Sequence, residues 1–226
     1  MKVKIKPVKP SVIMLYGYPG SGKTTFAKHL SEEIKYAHID AERLLGEAIK
    51  SKRPLGDKEI ALMMTYLANE FIKAGVGVIF DLDLPKAIDR HRIKQFAKKN
   101  KLKCIIVWIQ IDPQTAELRS TTQQAGLPAG QAGKPEARLP KKHTKQSFQV
   151  FAGKMQNPQD EDIIVISGKH TFRAQKAVII KKLLQKNVIK TEEISDRIVK
   201  PELMSLVPKP TLSGHTQTER RNISIN

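Results

Sequence analysis

Cysteine occurs once in the 226 residues, at Cys104, so no disulfide can form within the chain. Cys104 lies in the apolar run Cys-Ile-Ile-Val-Trp, which reads as a buried strand position rather than a nucleophile. There is no run of about 18 apolar residues, so no segment is expected to span a membrane. The apolar stretch that follows the basic start MKVKIKPVKP is too short for the core of a signal peptide and leads straight into a glycine-rich loop; the expected compartment is the cytoplasm. Acids are scarce, with 22 Asp and Glu against 40 Lys and Arg, a net charge of +18. Aromatics make up only 5%, and they form no arginine-aromatic pattern of a known nucleic-acid module. The charge alone points to nucleic acid, an anionic surface or phosphorylated ligands; a solvated lysine-rich surface explains it equally well.

What is present is enough apolar residue, 40%, for one sizeable core in a single α/β domain. Short apolar runs alternate with longer amphipathic ones, the pattern of a parallel sheet wrapped by helices. Strands are expected over 11–16, 36–39, 76–80, 103–111 and 162–167. Helices are expected over 23–34, 41–50, 57–74, 85–100, 114–123 and 171–185. The domain organisation expected is a basic N-terminal arm over 1–10, one domain over 11–186, and an extended, partly disordered tail over 187–226. A Gly-, Pro- and Ala-rich stretch at about 124–136 reads as a flexible insertion.

The most informative stretch is Gly17-Tyr18-Pro19-Gly20-Ser21-Gly22-Lys23-Thr24-Thr25, which satisfies G-x-x-x-x-G-K-[ST] between an expected strand and an expected helix. Glycines let backbone N–H groups turn inward around an anion, and the following helix adds its positive end. Lys23 brings a cation to the β- and γ-phosphates of ATP, and the Thr24 hydroxyl can ligate Mg²⁺. Thr25 serves an α-phosphate or the helix start.

Ligands of an open parallel sheet sit outside the carboxyl ends of its strands. Asp40 and Asp81 each close an apolar run, so both are expected to face the loop. Asp81 is the metal-side carboxylate. Asp40 is placed to take the proton of an acceptor hydroxyl, and it also suits the cap of the next helix. Arg43, one helical turn on, suits an anionic part of the acceptor. Asp83 reads as a helix cap.

The ordered set GYPGSGKTTFAKHL, HIDAERL, GVIFDLDLPKAIDRHRI and IIVWIQIDPQTAELR resembles the P-loop kinase-like AAA-domain proteins, which are similar to polynucleotide kinases, zeta toxins and small-molecule phosphotransferases. The resemblance covers residues 11–186. It implies a three-layer P-loop sandwich with a five-stranded, mostly parallel sheet ordered 2-3-1-4-5 and a helical lid over about 114–157. It also implies that Asp40 is the catalytic base and that Arg119 is the lid arginine over the phosphates. Arg90 and Arg92 match the family's arginines after the third strand, where they would contact acceptor or phosphate; a solvated helix face is the plainer reading. The chain departs from the family at Glu42, where Asp is common, and in lacking a second arginine soon after Arg119. Arg138, Lys141 and Lys142 are the cations available to replace it.

A motor ATPase would need a second acid beside Asp81, and Leu82 stands there. Phosphoryl transfer needs only positioning and electrostatic stabilisation. A kinase using ATP and Mg²⁺ is therefore expected, with a nucleic-acid 5′-end or a small molecule as acceptor. Eight cations between Lys86 and Lys103 and six between Lys134 and Lys154 could guide a nucleic acid. The alternative is a nucleotide-dependent switch that recruits a partner without phosphorylating it.

Overall fold

The computed structural model describes residues 3–52, 55–122, 143–159 and 162–193. Its centre is β2 (Ser11–Tyr16), all six residues of which are buried. The run Ser-Val-Ile-Met-Leu-Tyr is continuous rather than alternating because helices cover both faces of this strand. On one side β2 pairs in parallel with β4 (Val78–Asp81), and beyond it lies β3 (Ala37–Asp40). On the other side β2 pairs in parallel with β5 (Lys103–Gln110), followed by β6 (Ile163–Ser167). The order β3-β4-β2-β5-β6 reads 2-3-1-4-5 when the strands of this sheet alone are counted; an additional strand ahead of them in the chain shifts the numbering.

Successive residues of β2 point to opposite faces and seed two cores. Ile13 and Leu15 join Phe26, Leu30 and Ile34 of α1 (Lys23–Ile34) and Ile179 and Leu183 of α7 (Phe172–Gln185). Val12, Met14 and Tyr16 join Ile60, Met64 and Ala68 of α3 (Asp57–Lys73) and Ala97 of α4 (Ala87–Lys99). Two shorter helices complete the site side: α2 (Ala41–Lys50), directly after β3, and α5 (Pro113–Thr122), after β5.

Two regions differ from expectation. The arm expected over 1–10 and the start of the tail expected at 187 instead form an antiparallel ribbon of β1 (Val3–Pro7) and β7 (Ile189–Glu193). Val188 and Ile189 are buried in the first core, Ile5 packs against it, and Lys6 meets Glu192 at 2.5 Å. The ribbon is therefore part of the domain. A helix inside the span expected for the helical lid, though not placed from its own residues, α6 (Lys145–Gly153), starts at Thr144, whose hydroxyl accepts from Ser147 N, and buries Phe148 against Ile111 and Ala116. The insertion expected at 124–136, the cations Arg138, Lys141 and Lys142, and the tail beyond Glu193 lie outside the described residues. No helix among the described residues is long and apolar enough to cross a membrane.

Candidate nucleotide and acceptor site

The loop between β2 and α1 turns on three glycines. Gly17, Gly20 and Gly22 have φ of 145°, 80° and 97°, a region that side-chain-bearing residues rarely adopt. Space is a second reason at Gly20, where a Cβ would stand 2.4 Å from the Ala116 carbonyl oxygen of α5. The curled backbone leaves the first amides of α1 facing a common centre, a ready site for an anion. Two observations show that the loop fits a phosphate chain. The Ser21 hydroxyl is buried and finds no hydrogen-bond partner among the described residues. The Lys23 ammonium, also buried, donates to the carbonyls of Gly17 and Tyr18, each at 3.1 Å, and lies 3.2 Å from Asp83. It is thus held at the loop's own centre, where a phosphate could take the place of the two carbonyls while Asp83 remains a charged partner.

Register brings the carboxylates to this loop. Asp40, the last residue of β3, lies directly beside Asp81, the last of β4. His38, two residues back on the same face of β3, meets Asp81 through Nε2 at 3.0 Å. Ligating atoms of His38, Asp40 and Asp81 lie within 4.8 Å of one another. Asp40 also caps α2, its Oδ1 accepting from Arg43 N at 3.1 Å. Burial, followed by the neighbouring Asp81 charge, pushes the Asp40 carboxyl above its ordinary range. Loss of water and the facing Asp83, Asp40 and Asp81 raise Glu42 in the same direction. The Thr24 hydroxyl and the Asp81 and Asp83 carboxylates are hard oxygen donors, the set that suits Mg²⁺.

Two cavities meet at the loop. The larger, about 880 Å³, takes in Lys23, Thr24, Asp40, Arg43, Asp81 and Arg119. The smaller, about 220 Å³, lies on the other side among Ser21, His29, His170 and Phe172, the rings of His29 and Phe172 stacking at 4.8 Å. Gly20, Gly22, Thr25 and Arg119 line both. Arg119 Nη1 donates to the Gly168 carbonyl at 2.9 Å, which holds the guanidinium across the junction.

Nearly all the residues expected at the site are brought together here, Pro19 included. Arg90 is not. It is 1% exposed, its guanidinium lies 4.8 Å over the Tyr16 ring, and it donates to the carbonyls of Leu84 and Pro85 at 3.4 and 3.5 Å. It packs α4 onto the sheet, and Arg92 lines the large cavity in its stead. Asp83, a weaker site candidate read as a cap of the next helix, is the partner of Lys23. His38 and the second cavity went unforeseen, because both depend on contacts between segments far apart in sequence.

The family model described as an AAA domain matches residues 12–140. An adenylate kinase of Bacteroides fragilis is 28% identical over 143 residues, spanning 58% of this chain and 75% of its own. Among solved structures, a gluconokinase from Sinorhizobium meliloti 1021 superposes with a TM-score of 0.54 at 14% identity, over 79% of this chain and 94% of that one. A sugar kinase from Janibacter sp. HTCC2649 superposes with a TM-score of 0.50 at 16% identity, over 79% and 95%. The structural likenesses show the fold, and the family match begins within β2 and runs through the phosphate loop and α5 to residue 140. The chain belongs to the AAA-domain family of kinase-like P-loop proteins.

Proposed function

We propose that the chain is an ATP-dependent phosphotransferase that phosphorylates a hydroxyl of a small molecule. One observation carries this reading: Asp40 shares a cavity with the phosphate-loop residues Lys23 and Thr24 and stands in register beside Asp81. A hydrolase needs only a water beside the phosphate; here an open cavity with its own carboxylate leaves room for a second substrate. The relatives named as adenylate kinase, gluconokinase and sugar kinase favour a small acceptor, and the nucleic-acid acceptor expected from the net charge finds no support among them.

In this reading the smaller cavity takes the nucleoside end of ATP. The amides of Gly20 to Thr24 and the start of α1 hold the phosphates. Lys23 balances the charge on the β- and γ-phosphates, and Arg119 balances what develops on the transferred group. Thr24 and Asp81 would hold Mg²⁺, which neutralises phosphate charge and aligns the leaving group. His38 orients the Asp81 carboxylate through its hydrogen bond. Asp40 accepts the proton of the acceptor hydroxyl. Its raised affinity for a proton suits it to that work near neutral pH, because a base is most effective when its pKa approaches the working pH.

The test separates binding from chemistry. Lys23→Ala should lose ATP binding by calorimetry. Asp40→Asn should keep it and lose transfer by about a hundredfold or more, the range expected for a general base. Transfer by Asp40→Asn at the wild-type rate would remove Asp40 from the chemistry.

A further inference from the structure

Three side chains at the carboxyl ends of β3 and β4 form a mixed set of nitrogen and oxygen donors. Residues two apart on a strand share a face, and parallel register sets paired residues side by side. His38 and Asp40 therefore stand on the same face as Asp81. Their ligating atoms lie within 4.8 Å of one another, and His38 Nε2 is 3.0 Å from Asp81 Oδ2. Zn²⁺ holds imidazole nitrogen and carboxylate oxygen at about 2.0–2.2 Å, which sets tetrahedral ligand atoms about 3.4 Å apart. The separations here bracket that value, so a small side-chain rotation on two fixed strands would seat the ion.

The surroundings favour a cation at this point. The Asp81 and His38 side chains are 4% and 17% exposed, so water competes little for an ion between them. Asp40 and Asp81 stand side by side, while cations lining the same cavity are engaged elsewhere: Lys23 with Gly17, Tyr18 and Asp83, Arg119 with Gly168, and Arg92 with Asp89. Adjacent carboxylates repel each other more strongly as water is excluded, and a divalent ion between them removes that repulsion. The imidazole decides which ion. Mg²⁺ takes oxygen ligands and keeps its waters, whereas a set that includes an imidazole suits Zn²⁺ and its first-row neighbours. The Mg²⁺ of phosphoryl transfer is served by Thr24 and Asp81, and His38 is no part of that set.

We infer that His38, Asp40 and Asp81 form a binding site for a first-row divalent metal ion, with Zn²⁺ the fitting one, and that filling it switches transfer off. The second part rests on the phosphotransferase reading above and gives that site a regulator. The ion takes the place of the proton in the His38–Asp81 hydrogen bond, and that proton leaves to solvent. It occupies the Asp40 lone pair that would receive the acceptor's proton, and it withdraws Asp81 from Mg²⁺. Lys23, the loop amides and the smaller cavity supply none of its ligands, so ATP still binds.

Two measurements on the full-length chain test this. The first needs neither nucleotide nor acceptor: Zn²⁺ binding by calorimetry, with Co²⁺ absorption as a spectroscopic stand-in, on the wild type, His38→Gln and Asp40→Asn. The wild type should bind Zn²⁺ even with Mg²⁺ in large excess. Each variant should weaken binding about tenfold or more, since losing even a group that only orients a metal ligand costs that much. Using two variants guards against one that fails to fold. No Zn²⁺ binding, displacement by Mg²⁺, or an affinity unmoved in both variants overturns the site. The second measurement follows label from γ-labelled ATP in the wild type as buffered free Zn²⁺ rises. Transfer should fall as the site fills while ATP binding persists; transfer undiminished with the site filled overturns the switch. Absence of transfer without Zn²⁺ overturns the switch together with the phosphotransferase reading, and the site is still decided by the first measurement.

Discussion

Asp40 carries opposed demands at the scale of a single residue. It caps α2, lies beside Asp81, and has its carboxyl pushed up by burial and by that neighbour. A carboxyl whose folded-state pKa is raised binds its proton more tightly when folded, so stability is lost as pH rises through the folded pKa. Asp40→Asn keeps a side chain that caps a helix well and removes the charge. It should therefore raise the melting temperature at pH 7 while cutting transfer about a hundredfold or more, and the stability gain should vanish below the ordinary carboxylate range. Thermal melts of both proteins without nucleotide at pH 7 and pH 3 check this; a lower melting temperature for Asp40→Asn at pH 7 would contradict it. The same shift sets the pH dependence of the wild type: kcat/KM should rise with pH through a limb lying above the ordinary aspartate value, and that limb should be missing from the residual activity of Asp40→Asn. Asp40 and Asp81 were legible in the sequence because each closes an apolar run, and a strand's carboxyl end faces the loop. The choice between Arg90 and Arg92 was not. Two residues apart on a helix they point some 200° apart, and which one meets the cavity depends on how α4 sits on the sheet.

The elements divide by how local their signals are. The strands around β2, the phosphate loop and α1 announce themselves through continuous apolar runs, glycine spacing and the start of an amphipathic pattern. The β1–β7 ribbon does not, because Val-Lys-Ile-Lys-Pro interleaves lysines with its apolar residues and Ile-Lys-Thr-Glu-Glu is mostly polar, so both read as solvated segments until paired. Their pairing closes the chain over almost the whole domain, a contact no local window contains. The helix α6 was hidden in the same way: its Thr144 cap and Phe148 anchor are weak signals beside a Gly- and Pro-rich stretch. If the ribbon is structural, Ile189→Ala, at a position 2% exposed in the first core, should cost about 2–5 kcal/mol of unfolding free energy. ATP affinity should change little, because neither cavity touches the ribbon. Denaturant unfolding and calorimetry read the two effects separately; an unchanged midpoint would mean that the ribbon contributes nothing to the fold.

For the whole molecule, the net charge of +18 was the most visible property and the least specific guide to the site. Bulk charge governs solubility and non-specific attraction, whereas the acceptor meets only the lining of one cavity. That lining is a mixture of acid, base and apolar side chains assembled from β3, β4, α2, α3 and α4, so its balance becomes visible only after folding. The fold itself, a kinase-like P-loop sheet, came through clearly from the order of motifs. What separates a phosphotransferase from a nucleotide switch with the same sheet is the fate of one phosphoryl group. The decisive measurement follows the label from γ-labelled ATP with a panel of nucleotides, sugars, sugar acids and a 5′-hydroxyl oligonucleotide as acceptors, in the wild type and in Asp40→Asn. Label on an acceptor in the wild type, lost in Asp40→Asn while ATP binding persists, is the predicted result. Label appearing only as inorganic phosphate, at the same rate in both proteins, would contradict it.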